Sequence, residues 1–568
     1  MARIKAPWLK SYGSLKRSLR YPNISMYDFV EQNAEKHPLD IAIDYFGSQI
    51  SYEDLMRQVD MAARGFLALG VKKGDVVSVC SANIPEAIYT IYAINKIGAV
   101  ANIFHPLSAT AEIKHYLNLT DSKYLVAIDV AWPAIKPALD GTNVQKVVVI
   151  SPTASLPFVP RASMKIASFL PLLHKKQERP SGEKVMLWPE LLAKGARYYG
   201  DVNVHTKSKD LAVIIYSGGT TGTPKGVALS NLSFNCMAMQ VKAMFPEYAV
   251  PGNSLLGIMP IFHGFGLAVG IHAMLVNGME IKMYPKFDIK GFDKILKNAQ
   301  PNLFIGVPTL YEALLRNRKI RKLDLSCIKL AISGGDLMDD SLHEDAIKLL
   351  RHCGSEASLI QGYGLAECLS VSCVTPAGQY RPDTVGIPVQ DAFYKIVEPG
   401  TEEEKPFGEL GEIILTGPNL MMGYVNNEKE TNEALRRHKD GYIWLHTGDI
   451  GYMDSDGYIY FKQRIKRIII SSGYNIYPSQ VEKVICEIPE VLLATVVGIP
   501  DKYRGQIAKA FVVPKDGVKP NGELRDKIMT HCREHLAKFE LPRQIEFRES
   551  LPKTKVGKVA YTELEKEG

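Results

Sequence analysis

The sequence predicts an α/β fold in which helices cover mostly parallel β-sheets. Between residues 75 and 450, short runs of β-branched residues alternate with stretches of helical periodicity. One example is the run at residues 75–80 (DVVSVC), which precedes a helical pattern at residues 85–97. Such alternation is typical of βαβ units, because two parallel strands need a crossover connection that is usually a helix. The chain has no repeat of roughly 20–50 residues, which excludes solenoids and propellers.

The composition is that of a large globular protein. A chain of 568 residues with 46% hydrophobic and 23% charged residues belongs to neither the disordered, the collagenous nor the coiled-coil class. Its 68 Lys and Arg residues outnumber its 61 Asp and Glu residues by only 7. Proteins that bind nucleic acid concentrate basic residues more strongly. Nucleic acid is therefore not expected as the main partner.

The character of the sequence changes beyond Asp449. Hairpin-like segments follow, in which Asp456-Gly457 is a turn signal, and a βα-like pattern then extends to the end of the chain. We therefore expect a large N-terminal domain of layered sheets and helices at residues 1–464. A small α+β C-terminal domain is expected at residues 465–568.

Two segments depart from the alternating pattern. Residues 255–276 carry no Asp, Glu, Lys or Arg and exceed the roughly 18 residues of a membrane-spanning helix. Because Pro260 and several glycines interrupt this segment, we expect a buried strand, loop and helix instead. Residues 151–190 are rich in proline and charge and are expected to form a surface excursion.

The cysteine content and the N-terminal residues indicate a cytoplasmic location. Eight cysteines without a CxxC pair argue against a disulfide framework and against a cysteine-based zinc site. The N-terminal residues lack the apolar core of a secretory signal peptide. Six basic residues precede the first acidic residue, Asp28. This basic segment is expected either to pack on its own domain as a strap or to touch an anionic membrane surface.

The most informative motif is a glycine-rich segment at residues 216–226, YSGGTTGTPKG, which directly follows an apolar run. Its glycines let the backbone approach an anion, its hydroxyls donate hydrogen bonds and its lysine adds positive charge. Pro224 stands where the Walker P-loop requires glycine before the lysine, which excludes that motif. The segment therefore predicts a different polyphosphate-binding loop. Its binding residues are Ser217, Gly218, Gly219, Thr220, Thr221, Gly222 and Lys225.

This loop resembles the signature of the adenylate-forming enzymes, which comprise acyl-CoA synthetases, adenylation domains and beetle luciferases. Further blocks of that superfamily occur in the same order over nearly the whole chain. They are SYEDL at residues 51–55, SGG at 333–335, GYGLAE at 362–367, TGD at 447–449, Arg464 with Lys466, and PKT at 552–554 with Gly557 and Lys558. The resemblance implies that ATP activates a carboxylic acid as an acyl-AMP. It also implies a mobile C-terminal domain that reorients between two half-reactions.

The residue types and the resemblance together assign the base and metal positions. Glu367, an acidic residue on a glycine-rich turn, is expected to bind Mg²⁺, and Thr220 is the second residue expected at the metal. Tyr363 offers a flat face for the adenine ring. Gly334 and Gly335 are expected to allow close backbone approach on the other side of that ring.

Four further residues complete the expected active site. Asp449 can accept hydrogen bonds from both ribose hydroxyls, and Arg464 matches a family arginine that contacts the ribose and phosphate region. Lys558 is the expected catalytic lysine, because its ammonium group stabilises the charge at phosphorus while pyrophosphate leaves. His263 matches the family's gate position between the ATP and acyl sites.

The resemblance also identifies a hinge, a CoA channel and three departures from the family pattern. Lys466 occupies the hinge position, and Gly473 lies where related enzymes pass the pantetheine arm of CoA. Ala366 replaces the usual threonine, which predicts the loss of one hydroxyl contact to the α-phosphate. Arg467 replaces a frequent aspartate, which predicts the loss of an ion pair at the hinge. Tyr561 replaces a frequent arginine, and the sequence offers no interpretation of that change.

Within the superfamily the chain resembles bacterial fatty-acyl-CoA ligases, on the residues PWLKSY at 7–12, Gly218-Gly219 and Glu367-Cys368. This resemblance implies a medium- or long-chain fatty acid as substrate, with ATP, Mg²⁺ and CoA. An acyl-AMP ligase that loads a carrier protein and an aryl-acid CoA ligase stay open as alternatives. A nucleotide-binding regulator without catalysis is disfavoured, because the catalytic and nucleotide-binding residues are present.

Overall fold

The chain forms two compact units, described here in a computed structural model. The structure describes residues 4–156, 179–202, 204–217, 224–285, 291–472, 474–553 and 559–567. Unit 1 comprises Met1–Tyr394, Leu415–Leu445 and Asp456–Tyr458, and unit 2 comprises Lys395–Ile414, His446–Ser455 and Ile459–Gly568. The larger unit 1 contains layered sheets and helices and the smaller unit 2 is α+β, so the expected fold class is confirmed.

Several helices begin at residues whose side chains accept hydrogen bonds from the first turn. At the first helix, the Asp28 amide donates to Ser25 Oγ and the Ser25 amide donates to the Asp28 carboxylate, each at 3.0 Å. Such reciprocal caps satisfy amides that have no partner within the helix. The helices of the described residues are α1 (Met26–Ala34), α2 (Tyr52–Ala68), α3 (Pro85–Lys96), α4 (Thr110–Leu119), α5 (Trp132–Ala138), α6 (Trp188–Gly195), α7 (Asn231–Met244), α8 (Met274–Val276), α9 (Phe292–Ala299), α10 (Pro308–Arg316), α11 (Asp340–His352), α12 (Glu428–Ala434), α13 (Pro478–Cys486), α14 (Gly522–His535) and α15 (Tyr561–Glu567).

The strands mostly have seven residues or fewer, and the longest are β21, β25 and β26, with 11, 11 and 10 residues. They are β1 (Ile41–Tyr45), β2 (Ser48–Ser51), β3 (Val76–Cys80), β4 (Val100–Phe104), β5 (Tyr124–Ile128), β6 (Lys146–Ile150), β7 (Val185–Leu187), β8 (Leu211–Ser217), β9 (Lys225–Ser230), β10 (Ser254–Gly257), β11 (Glu280–Met283), β12 (Leu303–Gly306), β13 (Leu330–Gly334), β14 (Ser358–Gly364), β15 (Val371–Val374), β16 (Ile387–Pro388), β17 (Phe393–Val397), β18 (Gly411–Thr416), β19 (Gly423–Tyr424), β20 (Leu435–Arg437), β21 (Ile443–Met453), β22 (Ile459–Arg464), β23 (Ile469–Ser471), β24 (Tyr474–Ile476), β25 (Val491–Asp501), β26 (Gly505–Pro514) and β27 (Gln544–Phe547).

Two large sheets form the body of unit 1. One has the strand order β19-β9-β8-β4-β3-β5-β6-β7, and the other has the order β16-β15-β14-β13-β12-β10-β11-β1-β2. Pairing is parallel from β8 to β7 and from β14 to β1. Because the inner parallel strands are covered on both faces, their sequences are nearly continuous apolar runs.

Two smaller sheets complete the fold. One has the order β17-β18-β21-β20, with β22 paired to β21, and the other has the order β24-β23-β26-β25, with β27 paired to β26. The expected turn at Asp456-Gly457 joins the antiparallel strands β21 and β22, and Gly457 has φ +88°. The hairpin of β25 and β26 and helices α13 and α14 enclose a core of small and branched side chains, among them Val481, Val496 and Ile528.

The apolar segment at residues 255–276 forms the expected strand, loop and helix. It contains most of β10, a π-helix at Phe265–Ala273 and α8. No helix in the described part of the chain is long and apolar enough to cross a membrane.

The expectation of a surface excursion throughout residues 151–190 is wrong for its last part. Val185–Leu187 forms strand β7, which pairs in parallel with β6 at the edge of the eight-stranded sheet. This strand has three residues, and the side chain of Leu187 is exposed. An edge strand this short gives no periodic signal in the sequence.

The basic N-terminal segment packs on unit 1 as a strap. Trp8 and Tyr12 are 1% and 2% exposed, and the Tyr12 hydroxyl donates to the Pro388 carbonyl at 2.8 Å. Asp391 accepts a hydrogen bond from the Tyr21 hydroxyl at 2.7 Å. Burial of its aromatic residues therefore holds this segment against its own unit.

Candidate active site

The phosphate loop connects two antiparallel strands of unit 1. Ser217 ends β8, Lys225 begins β9, and the two residues lie directly opposite each other in the sheet. The Tyr216 hydroxyl donates to Asn102 Oδ1 at 2.8 Å, which fixes the end of β8. The remaining residues of the expected loop, Gly218, Gly219, Thr220, Thr221 and Gly222, lie outside the described residues.

Lys225 belongs to a polar network that reaches the expected metal residue. Its ammonium group forms an ion pair with the Glu430 carboxylate and lies 4.9 Å from the centroid of the Tyr424 ring. The Tyr424 hydroxyl donates to Glu367 Oε1 at 2.9 Å. Sequence reasoning missed Tyr424 and Glu430, since one follows a glycine in a two-residue strand and the other is one of several acids in α12.

Three segments of unit 1 meet at Gly264. A Cβ atom on Gly264 would lie 1.8 Å from the Leu369 carbonyl oxygen and 3.5 Å from Ile215 Cδ1. Leu369, two residues after Glu367, has φ +67°. The structure thus brings the His263 segment, the Glu367 turn and strand β8 together, and only glycine permits this approach.

His263 is half-buried in this arrangement. Its Nδ1 accepts a hydrogen bond from the Phe265 amide at 3.2 Å. Because Nδ1 accepts this hydrogen bond, it carries a lone pair and no proton. The proton of the neutral His263 ring is therefore on Nε2. The ring is therefore anchored to its own backbone through one nitrogen.

The expected adenine residues lie at the carboxyl ends of two parallel strands. Gly334 in β13 is the register partner of Gly362 in β14, and Tyr363 follows at 8% exposure. Gly335 has φ +84°, a conformation that favours glycine. Ligands of open α/β sheets bind outside the carboxyl ends of the strands, so this edge is a suitable nucleotide-binding surface.

An apolar cavity begins beside Gly334. Phe265 lines it, and a Cβ atom on Gly334 would lie 3.6 Å from the Phe265 ring. The cavity contains about 540 Å³ of space free of atoms, including its opening to solvent. It extends between α7 and the strands of the nine-stranded sheet. Its lining is Met237, Gln240, Val241, Met244, Phe245, Leu255, Phe265, Val269, Met274, Leu303, Ile305, Ile332, Val371, Val374 and Val389.

Unit 2 brings together the two residues expected at the ribose. Asp449 and Arg464 are register partners in β21 and β22, and Arg464 Nε lies 2.9 Å from Asp449 Oδ1. The Asp449 carboxylate is buried, whereas the Arg464 side chain is 42% exposed. Arg464 also donates to the Thr447 carbonyl at 3.3 Å. The Arg464 guanidinium group thus orients the Asp449 carboxylate. Part of the Arg464 side chain stays exposed to solvent.

Glu412 supports the loop before Asp449, and sequence reasoning missed it. Its carboxylate accepts hydrogen bonds from the Gly448 amide at 3.1 Å and from the Gly400 amide at 3.2 Å. His446 Nδ1 lies 2.9 Å from Glu412 Oε2, and both side chains are buried. Burial alone would raise the pKa of Glu412, but the hydrogen bond and charge of His446 and the two amides lower it below 4.5.

The segment expected to act as the hinge contains an ion pair between Arg467 and Glu482. Lys466 is exposed in the short helix Ile465–Arg467. Arg467 Nη2 lies 2.5 Å from Glu482 Oε1, and its guanidinium carbon lies 3.7 Å from the centroid of the Tyr561 ring. Arg467 thus forms an ion pair of its own with Glu482, in place of the one that an aspartate at this position would make. Arg467 and Tyr561, two of the three residues that depart from the family pattern, therefore contact each other.

Gly473 and Lys558 lie outside the described residues. The segment that contains Lys558 is flanked by an antiparallel bridge between Lys553 and Val559. Lys553 and Val559, on either side of this segment, are therefore adjacent.

The chain belongs to the AMP-binding enzymes. The family model described as AMP-binding enzyme matches residues 30–425, and the model described as AMP-binding enzyme C-terminal domain matches residues 480–558. The expected superfamily is thus confirmed.

The curated relatives match nearly the whole chain. The long-chain-fatty-acid–CoA ligase of Bacillus subtilis (strain 168) is 32% identical over 566 residues, which are 98% of this chain and 97% of that protein. The protein of the same name from Salmonella typhimurium (strain LT2) is 31% identical over 90% of this chain and 89% of its own. ATP-bound MatB from Rhodopseudomonas palustris has the same fold, with a TM-score of 0.82, 23% identity and coverage of 96% and 99%.

A side chain at position 264 should disrupt the meeting of the three segments. In Gly264→Ala the new methyl group collides with the Leu369 carbonyl, so we expect a loss of about 1–3 kcal/mol in stability and weaker AMP binding. Gly270→Ala is the matched control, because its Cβ would meet its nearest neighbour, Ile305 Cδ1, at 3.6 Å. Thermal unfolding and calorimetry measure both effects. Equal behaviour of the two variants would contradict the role of Gly264.

Glu412 should contribute stability that depends on pH. Because its pKa is lowered in the folded state, the contribution is present above the unfolded pKa of about 4.5 and is lost as pH falls through the folded value. Glu412→Gln should therefore be less stable than the wild type at about pH 7, with a gap that narrows below about pH 4.5. Urea unfolding across this range measures the gap. The exposed variant Glu409→Gln should show no such trend.

Proposed function

We propose that this chain activates a fatty acid to its CoA thioester, with ATP and CoA as co-substrates. It is an AMP-forming acid–thiol ligase. The carboxylate attacks the α-phosphorus of ATP and pyrophosphate leaves, which gives an acyl-AMP. The thiol of CoA then attacks the acyl carbon, and AMP leaves. Similarity to long-chain-fatty-acid–CoA ligases over nearly the whole chain supports both the reaction and the substrate class.

The apolar cavity beside Gly334 is the observation that carries the choice of a fatty acid. Its lining contains a single polar side chain, Gln240, and no charged group. An alkyl chain gains about 25 cal/mol per Å² of apolar surface removed from water, whereas a charged amino acid would lose its hydration there.

We assign the phosphates of ATP to the loop of residues 217–225 and to the network that continues to Glu367. In this assignment Lys225 exchanges the Glu430 carboxylate for a phosphate oxygen when ATP binds. The carboxylate of Glu367 fits Mg²⁺, which prefers oxygen ligands, and Thr220 is the second proposed ligand. Bound Mg²⁺ would neutralise charge on the phosphates. Tyr424 orients the carboxylate through Oε1, which leaves Oε2 as the proposed ligand atom.

We assign the ribose to Asp449 and Arg464, and the adenine to Tyr363 with Gly334 and Gly335. The buried carboxylate of Asp449 accepts hydrogen bonds from the ribose hydroxyls in this proposal. His263 is the proposed gate between the ATP and acyl sites.

The C-terminal domain, proposed as residues 465–568, serves the two half-reactions in turn. Lys558 supplies the charge for adenylation, and Gly473 admits the pantetheine arm of CoA after rotation about Lys466. All eight cysteines are free thiols, which supports the proposed cytoplasmic location.

Pyrophosphate release with a panel of carboxylic acids tests this function. Medium- and long-chain fatty acids should support release, and added CoA should convert the product to a thioester. Activity with aryl acids only would overturn the proposal. Acyl-AMP that reacts with the phosphopantetheine of a carrier protein but not with CoA would also overturn it.

Separate variants should divide the two half-reactions. Lys558→Ala should lose acyl-AMP formation by on the order of 100-fold or more, because a charge that stabilises the transition state is removed, yet it should still convert supplied acyl-AMP and CoA. Gly473→Leu should show the reverse pattern, because a side chain would obstruct the thiol path. Single-turnover assays measure each half. Equal loss of both halves in both variants would contradict a domain that presents two faces to one site.

A larger side chain in the cavity should shorten the preferred acyl chain. Val269→Phe places an aromatic ring in the lining, so kcat/KM for a sixteen-carbon acid should fall roughly ten-fold or more. The same variant should retain activity with a short acid, which serves as the internal control. A uniform loss at all chain lengths would argue against this cavity as the acyl site.

A further inference from the structure

We propose that unit 2 carries a zinc-binding site formed by Glu487, His531 and His535. The proposed nucleotide and acyl sites use none of these residues, and the proposal does not depend on the activity. One ligand atom from each residue lies within 4.8 Å of the other two. This spacing lets one cation contact all three residues after small side-chain movements.

The backbone presents these residues to one another from two helices. His531 and His535 are one turn apart near the C-terminus of α14, so their side chains lie on the same face of that helix. Their ring centroids are 4.2 Å apart. Glu487 directly follows Cys486, the last residue of α13. A cation at this point would therefore connect the end of α13 to the last turns of α14.

The hydrogen bonds already orient both rings for coordination. His535 Nδ1 donates to the His531 carbonyl at 2.9 Å, which leaves the lone pair on Nε2 in the neutral ring. A backbone partner of this kind commonly fixes the ring of a metal-ligating histidine. His531 Nε2 lies 3.0 Å from Glu487 Oε2, and the proton of this hydrogen bond is on the imidazole nitrogen. A cation that replaces this proton finds a nitrogen and an oxygen ligand in place.

The ligand chemistry selects the class of cation. Two imidazoles and one carboxylate suit Zn²⁺ and related divalent transition metals, whereas Mg²⁺ and Ca²⁺ prefer oxygen ligands. Three protein ligands leave a fourth position for water. The side chains of His531 and Glu487 are 26% and 45% exposed, so ions can enter from solvent. On binding, the His531 proton moves from Nε2 to Nδ1 of the same ring by exchange with solvent, so that Nε2 coordinates as a neutral imidazole.

The proposed site would stabilise unit 2. Helices α13 and α14 both pack on the core formed with β25 and β26. A cation that binds the folded unit, and binds the unfolded chain more weakly, shifts the unfolding equilibrium towards the folded state. Zn²⁺ is therefore expected to act on this unit as a cross-link between its two helices.

Calorimetric titration of the full-length, tag-free chain with Zn²⁺ tests this proposal. After treatment with chelator, the wild type should bind one Zn²⁺ at this site and show a higher melting temperature with Zn²⁺ than without it. His535→Ala and Glu487→Gln should each weaken binding by roughly ten-fold or more and lose the thermal shift. His352→Ala is the matched control, because His352 is an exposed histidine at the end of α11 in unit 1.

The variants also separate the site from general instability. Circular dichroism without Zn²⁺ should show that His535→Ala and Glu487→Gln fold like the wild type, because both residues lie at the surface. Titration with Mg²⁺ should give no binding that depends on these residues. Absence of Zn²⁺ binding in the wild type, or equal binding by the wild type and both ligand variants, would overturn the proposal.

Discussion

The candidate active site depends on the close approach of backbones at Gly264. The Leu369 carbonyl occupies space that any side chain at position 264 would require. This contact holds the His263 segment against the turn that carries Glu367, while Ile215 of β8 closes the same junction. Residues far apart in the chain are therefore held in one place by main-chain packing. Main-chain packing gives smaller positional errors than long, flexible side chains do.

In the polar network beside this junction, the positive charge of Lys225 already has a partner of opposite charge within the protein. The ammonium group of Lys225 is held by Glu430 and by the ring of Tyr424, which also holds Glu367. An ammonium group that is already paired has given up part of its hydration. It therefore loses less hydration when an anion binds than a fully hydrated ammonium group would. The arrangement holds Lys225 in one orientation. In the proposed function, a phosphate of ATP competes with the Glu430 carboxylate for the Lys225 ammonium group and replaces it on binding.

The sequence predicted the layers, and it supplied most of the residues proposed for the site, because both depend on local patterns. Continuous apolar runs identify buried parallel strands such as β3 and β8. Glycine-rich turns identify places where the backbone approaches a ligand. Strand β7 gave no pattern because it is short and lies at an edge. Tyr424 was missed because its role depends on Glu367, which is 57 residues away in the chain. Glu412 was missed for the same reason, since only the fold brings it beneath Gly448.

The contact of Arg467 with Tyr561 limits which single substitutions these two positions can accept. An aspartate and an arginine are frequent at these two positions in the family pattern, and in this structure the two positions lie in contact. Arginine at both positions would instead place two guanidinium groups together beside Glu482, and like charges at such distances repel. Aspartate at position 467 would face the carboxylate of Glu482, which now binds Arg467. A return to the family pattern therefore requires correlated substitutions, because either substitution alone would bring like charges together. Positions 467, 482 and 561 should consequently covary among the close relatives of this chain.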